Sequence, residues 1–306
     1  MRAATLCVLG SLLACGPSDR DRPGGGNGQP DAGGNGGSGA STQCSKMDIL
    51  FVVDDSGSMA EEQQNLATNF PMFAQVLAQY QVDGVPLDYR VGITTTGRTI
   101  HYTISVPGLP PVNQTENGDN GAFRSSCGST SRFLQGTDPN VESTLACRAN
   151  VGTSGPGIEM PMLMSKYALA DRIMDGTNGQ FLRPDALLAI IYLTDEDDQS
   201  TTQDNFTMST TGMPPIDWNP SDQVAFLDQL KGNRTRWAAA AIAGDGDCSS
   251  AFGSASDAAR LKQFVMLANG NGTTQAVFSS ICDGDLTIGL KKALDTFQAA
   301  CGQIIL

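Results

Sequence analysis

Apolar residues in this chain gather into short unbroken runs and helical stripes that take turns along the sequence. Ile49-Leu50-Phe51-Val52-Val53 is too short for a typical helix and too continuous for a strand with one wet face, so it reads as a parallel strand covered on both sides. Residues 187–193 and 237–243 repeat that pattern. Leu87, Tyr89, Val91 and Ile93 alternate with polar or small residues as a further strand, paired with a short one at 103–106, and a last strand is expected at 275–279. Helices are predicted over 59–80, along Leu163, Tyr167, Ala170 and Met174, from Pro220 to a stop at Gly232, over 257–267, and along Leu286, Leu290, Ala293 and Phe297. This rhythm predicts an α/β fold, a mostly parallel central sheet flanked by helices on both faces in doubly wound order. Residues 44–306 read as one domain with long loop insertions at its top face, at 107–157 and 196–219.

The first 43 residues have a different character. Arg2 is the only charge before Asp19, and residues 3–14 form an apolar stretch of signal-peptide length, too short for a membrane span. Leu12-Leu13-Ala14-Cys15 resembles the bacterial lipobox, which implies removal of residues 1–14 and lipidation of Cys15. With Gly16 rather than Asp after that Cys, the resemblance implies an outer-membrane destination in the cell envelope. Residues 16–43 are rich in Gly, Asn, Ser, Pro and Asp, so 15–43 is expected to be a lipidated Cys and a flexible tether reaching ~30 Å.

Of the eight cysteines, Cys7 and Cys15 belong to this leader, and six remain. An exported chain oxidises them, and among the fifteen possible pairings the expected set is Cys44–Cys301, Cys127–Cys147 and Cys248–Cys282. The first would close the domain where its ends meet, and the others would each close a loop-rich segment.

The chemistry falls at the carboxyl end of the first strand, where open α/β sheets place ligands. Asp54, Ser56 and Ser58 offer only oxygen donors, which suit Mg²⁺, Mn²⁺ or Ca²⁺ rather than zinc or copper. Asp-x-Ser-x-Ser after an apolar strand is similar to the metal-ion-dependent adhesion site of von Willebrand factor A (vWA) domains. That resemblance implies a metal set of Asp54, Ser56, Ser58, Thr153 and Asp195, with Glu159 as the alternative to Thr153. It implies Mg²⁺ as the ion, with Mn²⁺ or Ca²⁺ as the other choices, and a protein partner whose Asp or Glu carboxylate completes the ion's shell. Ser58 with Glu61 is also a capping box, which would start the following helix.

Charge narrows the partners. The chain carries a formal −13, or −14 once Arg2 leaves with the signal, so nucleic acid and anionic lipid surfaces are poor partners and the membrane is reached only through the lipid. The acidic run Glu196-Asp197-Asp198 reads as a solvated rim, and Met160, Met162, Met164 and Met174 as core filling. With one His, no spare Cys and no Gly-x-Ser-x-Gly elbow, the expectation is an adhesion or interaction module and not an enzyme. The alternatives are an envelope protein whose metal only stabilises the fold and, behind it, a metal-dependent hydrolase.

Overall fold

The apolar run before Asp54 lies in strand β1 (Lys46–Val53), which the computed structural model places inside a six-stranded sheet. The structure describes residues 45–82, 84–208, 212–250, 253–272 and 274–301, within a unit spanning Ser41–Leu306. The leader, Cys15, the tether and Cys44 lie outside the described residues.

The strands after β1 are β2 (Gln81–Val82), β3 (Val85–Pro86), β4 (Asp88–Thr95), β5 (Ile100–Ile104), β6 (Val112–Glu116) and β7 (Leu134–Gln135). They continue as β8 (Leu187–Leu193), β9 (Asn205–Thr207), β10 (Trp237–Ala243), β11 (Cys248–Ser250), β12 (Gly253–Ala255) and β13 (Ala276–Ser280). The helices are α1 (Ala60–Gln79), α2 (Val141–Ala149), α3 (Pro161–Lys166), α4 (Arg172–Met174), α5 (Pro220–Lys231), α6 (Ala259–Ala268) and α7 (Leu286–Cys301).

The sheet runs β13-β10-β8-β1-β4-β7, parallel throughout except where the two-residue β7 meets β4. Phe51 stands in register with Ile93 on one side and Ile191 on the other. Alternate β1 residues enter two separate apolar clusters. Met47, Ile49, Phe51 and Val53 share one with residues of α1, α2 and α7, including Phe70, Leu145 and Phe297. Leu50 and Val52 share the other with residues of α3, α5 and α6, including Leu163, Leu227 and Phe264. Phe51 meets Phe70 and Phe73 of α1 at ring-centroid distances of 4.9 and 5.3 Å. Burial of each such ring contributes about 1.5–3 kcal/mol, which fixes α1 across the strands.

Three expectations are corrected. The strand expected at 103–106 is part of β5, which does not join β4 but forms a separate sheet, antiparallel to β6 and parallel to β9. Hydrogen bonding to these two inserted strands overrides adjacency in sequence. Met174 is 84% exposed, whereas Met160, Met162 and Met164 are buried. A π-helical turn at Tyr167–Asp171 adds a residue to the helical repeat, so Ala168 and Leu169 turn inward and the 163-167-170-174 stripe is broken. The acidic run is not a solvated rim. Asp197 receives the Arg260 amide and Asp198, fully buried, receives the Met162 amide (3.0 Å) and the Ser200 hydroxyl (2.7 Å).

Disulfides Cys127–Cys147 and Cys248–Cys282 close segments of 20 and 34 residues. Cys301 is also disulfide-bonded. Among the described residues no helix is long and apolar enough to cross a membrane.

Candidate metal centre

Parallel strands align their carboxyl ends, so the residues following β1, β4 and β8 converge at one pole of the sheet. Asp54 follows β1, held by its amide to the Leu193 carbonyl (2.9 Å) and by the Gln63 side chain on its own carbonyl (2.8 Å). Its carboxylate is fully buried. Oδ1 accepts from the Ser56 amide (2.8 Å) and the Thr96 hydroxyl (3.3 Å), and Oδ2 accepts from the Thr194 hydroxyl (2.6 Å). Ser56 Oγ and Ser58 Oγ lie 2.9 Å apart, and the Ser58 hydroxyl donates to Asp195 Oδ1 at 3.3 Å. The capping box expected of Ser58 and Glu61 does not form: neither the 3₁₀ turn at Gly57–Met59 nor α1 has a side-chain cap, because the Ser58 hydroxyl is spent on Ser56 and Asp195.

The loop at 153–159 reaches the site from the far side. The Gly155 amide donates to the Asp55 carbonyl (2.6 Å), and a Cβ on Gly155 would lie 2.2 Å from the Asp55 carboxyl, so only glycine permits this approach. The Met160 amide then bonds the Thr96 carbonyl (3.0 Å) and the Gln199 amide bonds the Glu159 carbonyl (2.8 Å). Between these anchors Glu159 is 1% exposed, and its Oε2 has no hydrogen-bond partner. Thr153 is exposed. The structure therefore brings together Asp54, Ser56, Ser58, Asp195 and Glu159, and leaves Thr153 at the surface.

Burial shapes the charges. It raises Asp54 above the ordinary carboxyl range against the hydrogen bonds from Thr194, Ser56 and Thr96. Asp195 is pushed up to about 7 by burial and by the Asp54 charge, and Glu159 to about 10 by burial, Asp54 and Glu196. Asp54 acts on both Glu159 and Asp195, Glu196 acts on both and Glu62 on Asp195, and no basic side chain is among the groups acting most strongly on these three. Among the described residues no group of three or more His, Cys, Asp or Glu side chains forms a ready metal cage by itself. The donor set is instead mixed, two or three carboxylates with two serine hydroxyls. Hard oxygens of this kind, with a buried carboxylate oxygen left unpartnered, fit a divalent cation.

Thr96 and Thr194 escaped the sequence reading as site residues. Their signal was available: each directly follows an apolar strand beside β1, at the same end as Asp54.

No known family model matches the chain, and no curated protein matches it. Solved structures do match. Proximal thread matrix protein 1 from the mussel byssus aligns with 85% of this chain and 49% of its own, at 12% identity and a TM-score of 0.42. Manganese-loaded Plasmodium vivax TRAP protein aligns with 84% of this chain and 74% of its own, at 12% identity and a TM-score of 0.39. The pilus adhesin RrgA of Streptococcus pneumoniae aligns with 50% of this chain and 21% of its own, at 13% identity and a TM-score of 0.27. The chain thus spans about half the length of the byssus protein. No residue role follows from likeness at this level.

Proposed function

We propose that this chain is a divalent-cation-dependent binding module of the vWA type, with Mg²⁺, Mn²⁺ or Ca²⁺ held by Asp54, Ser56, Ser58 and Asp195 and by Glu159 or Thr153 from the second loop. The observation that carries the reading is the burial of Asp54 with Glu159 and Asp195, each within reach of the Asp54 charge and none with a basic side chain among the groups acting most strongly on it. Isolated buried charge is costly, and a cation from solution removes that cost. The bound ion supplies an electrophilic position open to one outside oxygen, which we assign to an Asp or Glu carboxylate on a partner protein. Ser56 and Ser58 are neutral donors and leave the ion part of its charge for that contact. The role is adhesion rather than catalysis. Cys15 would carry the lipid that anchors the module in the cell envelope, at the outer membrane.

A second reading rests on the saturation of Asp54, whose carboxylate already receives three protein donors. On that reading the ion stiffens the junction of β1, β4 and β8 in a structural envelope protein and meets no partner. Calorimetric titration of the chelator-stripped protein with Mg²⁺, Mn²⁺ and Ca²⁺, beside Asp54→Ala, tests the centre. One saturable ion lost in the variant supports both readings, and no ion in either protein rejects both. Partner capture abolished by chelator and restored by the ion separates adhesion from stiffening.

A further inference from the structure

The opposite pole of the sheet, at the amino ends of the parallel strands, holds charge of the other sign. Leu182, Arg183, Pro184, Lys231, Gly232 and Arg236 line a cavity of about 410 Å³ between the start of β8, the end of α5 and the start of β10.

The local charges do not pair off completely. Arg183 is committed, its Nε to Asp48 Oδ1 (2.7 Å) and its Nη1 to Asp88 Oδ1 (2.7 Å). Lys46 is committed to Asp185 (2.5 Å). Lys231 is 7% exposed, and its ammonium, with three donors, reaches one protein acceptor, the Arg183 carbonyl (2.8 Å). Arg236 bonds the Pro184 carbonyl through Nη2, and its buried Nε has no partner. Neither Lys231 nor Arg236 has a carboxylate within ion-pair distance among the described residues. Burial, with Arg236 and Arg183 nearby, brings the Lys231 ammonium down to about 8 despite Asp48 and Asp185, the state of a cation short of counter-charge.

We propose that this cavity is an oxyanion site that takes a phosphate group between Lys231 and Arg236. The part-exposed Arg236 guanidinium and an ammonium with two donors beyond its bond to the Arg183 carbonyl match tetrahedral oxygens. The phosphate could come free from solution or on a lipid headgroup. The acidic domain repels a net-anionic bilayer, so a headgroup source would be zwitterionic. The chain enters the domain at this same pole, at Lys46.

The test is calorimetric titration of the full chain with inorganic phosphate and, separately, with glycerophosphoethanolamine, a soluble headgroup without acyl chains. Arg236→Gln and Lys231→Gln are compared with Arg234→Gln, whose residue pairs with Asp228 and does not line the cavity. Arg236 is only half-buried, so its variant keeps the fold even if Lys231→Gln does not. Phosphate binding weakened about tenfold by Arg236→Gln and untouched by Arg234→Gln supports the site with a free phosphate as its ligand. The same pattern with glycerophosphoethanolamine alone supports the site with a headgroup as its ligand. Binding of neither probe, or binding indifferent to Arg236→Gln, overturns the proposal.

Discussion

Two aspartates six positions apart, Asp48 within β1 and Asp54 just past its end, are both fully buried and both raised by burial, yet they are compensated in opposite ways. Asp48 receives the Arg183 side chain at 2.7 Å and the Arg183 amide at 2.6 Å, with the Lys231 charge also acting on it. Asp54 receives two hydroxyls and one amide, and its charged neighbours are Glu159 and Asp195. At Asp48 the fold carries its own counter-ion, Arg183. Around Asp54 it gathers acids with no basic side chain among the groups acting most strongly on them, and the proposed cation would supply the counter-charge.

The largest effect should come from breaking the Asp48–Arg183 pair. Asp48→Ala leaves the Arg183 guanidinium without its buried anion and is expected to cost about 3–5 kcal/mol in urea denaturation. Asp54→Ala, measured without divalent ions, should cost clearly less, because it strands neutral donors and removes a charge that lacked a partner. Equal losses at the two positions would erase the contrast.

Adding the ion should narrow that difference. At about one hundred times its dissociation constant a ligand specific to the native state stabilises by about 2.7 kcal/mol, so wild type should gain that much on addition of the preferred ion and Asp54→Ala nothing. Calorimetric melting in chelator and in excess ion reads it directly.

A pH effect follows from the same carboxyls. In the ion-free native state Glu159 titrates at about 10 and Asp195 at about 7, whereas in the unfolded chain both give up their protons near ordinary carboxyl values. The native state then holds more protons over the intervening range, so stability is full below about pH 4 and falls as pH rises. Lys231, lowered to about 8, acts with the opposite sign only above that value, so pH 5 to 7.5 excludes it, while Asp55, raised to about 7, and Asp198, raised to about 6, add to the same fall. Urea midpoints should fall across this window in chelator, by up to about 1.4 kcal/mol per pH unit for each retained proton, and fall less steeply in saturating ion. A midpoint that rises in chelator contradicts the assignment.

The two poles also differ in how far the sequence announced them. β1, β8 and β10 are buried on both faces, so their residues had to be continuously apolar, and the first polar residues after them, Asp54 and Thr194-Asp195, stood out by contrast. Asp48 and Arg183 are separated by 135 residues, and nothing local to either shows that they meet. The side sheet of β5, β6 and β9 and the docking of α2 beside α1 depend in the same way on partners distant in sequence. The π turn that exposes Met174 changes the helical period itself, which a period-based reading cannot anticipate.

The smallest expected effect separates the two second-loop candidates. Thr153 is an exposed residue on the loop that Gly155 presses against Asp55, whereas Glu159 lies buried between the Met160 and Gln199 anchors with a free carboxylate oxygen. Thr153→Ala should therefore change stability by less than about 0.5 kcal/mol, the range of surface substitutions, and leave ion affinity where it was. Glu159→Gln keeps the shape, cannot ionise to meet the cation, and should weaken the ion while stabilising the chelator-stripped protein at pH 7.5, where the native carboxyl holds a proton that the unfolded chain releases. If the titration instead finds the ion weakened by Thr153→Ala and unchanged by Glu159→Gln, the loop must rearrange on metal binding to exchange the acid for the hydroxyl. The uncompensated pole would then be a resting state, not the ion-ready one.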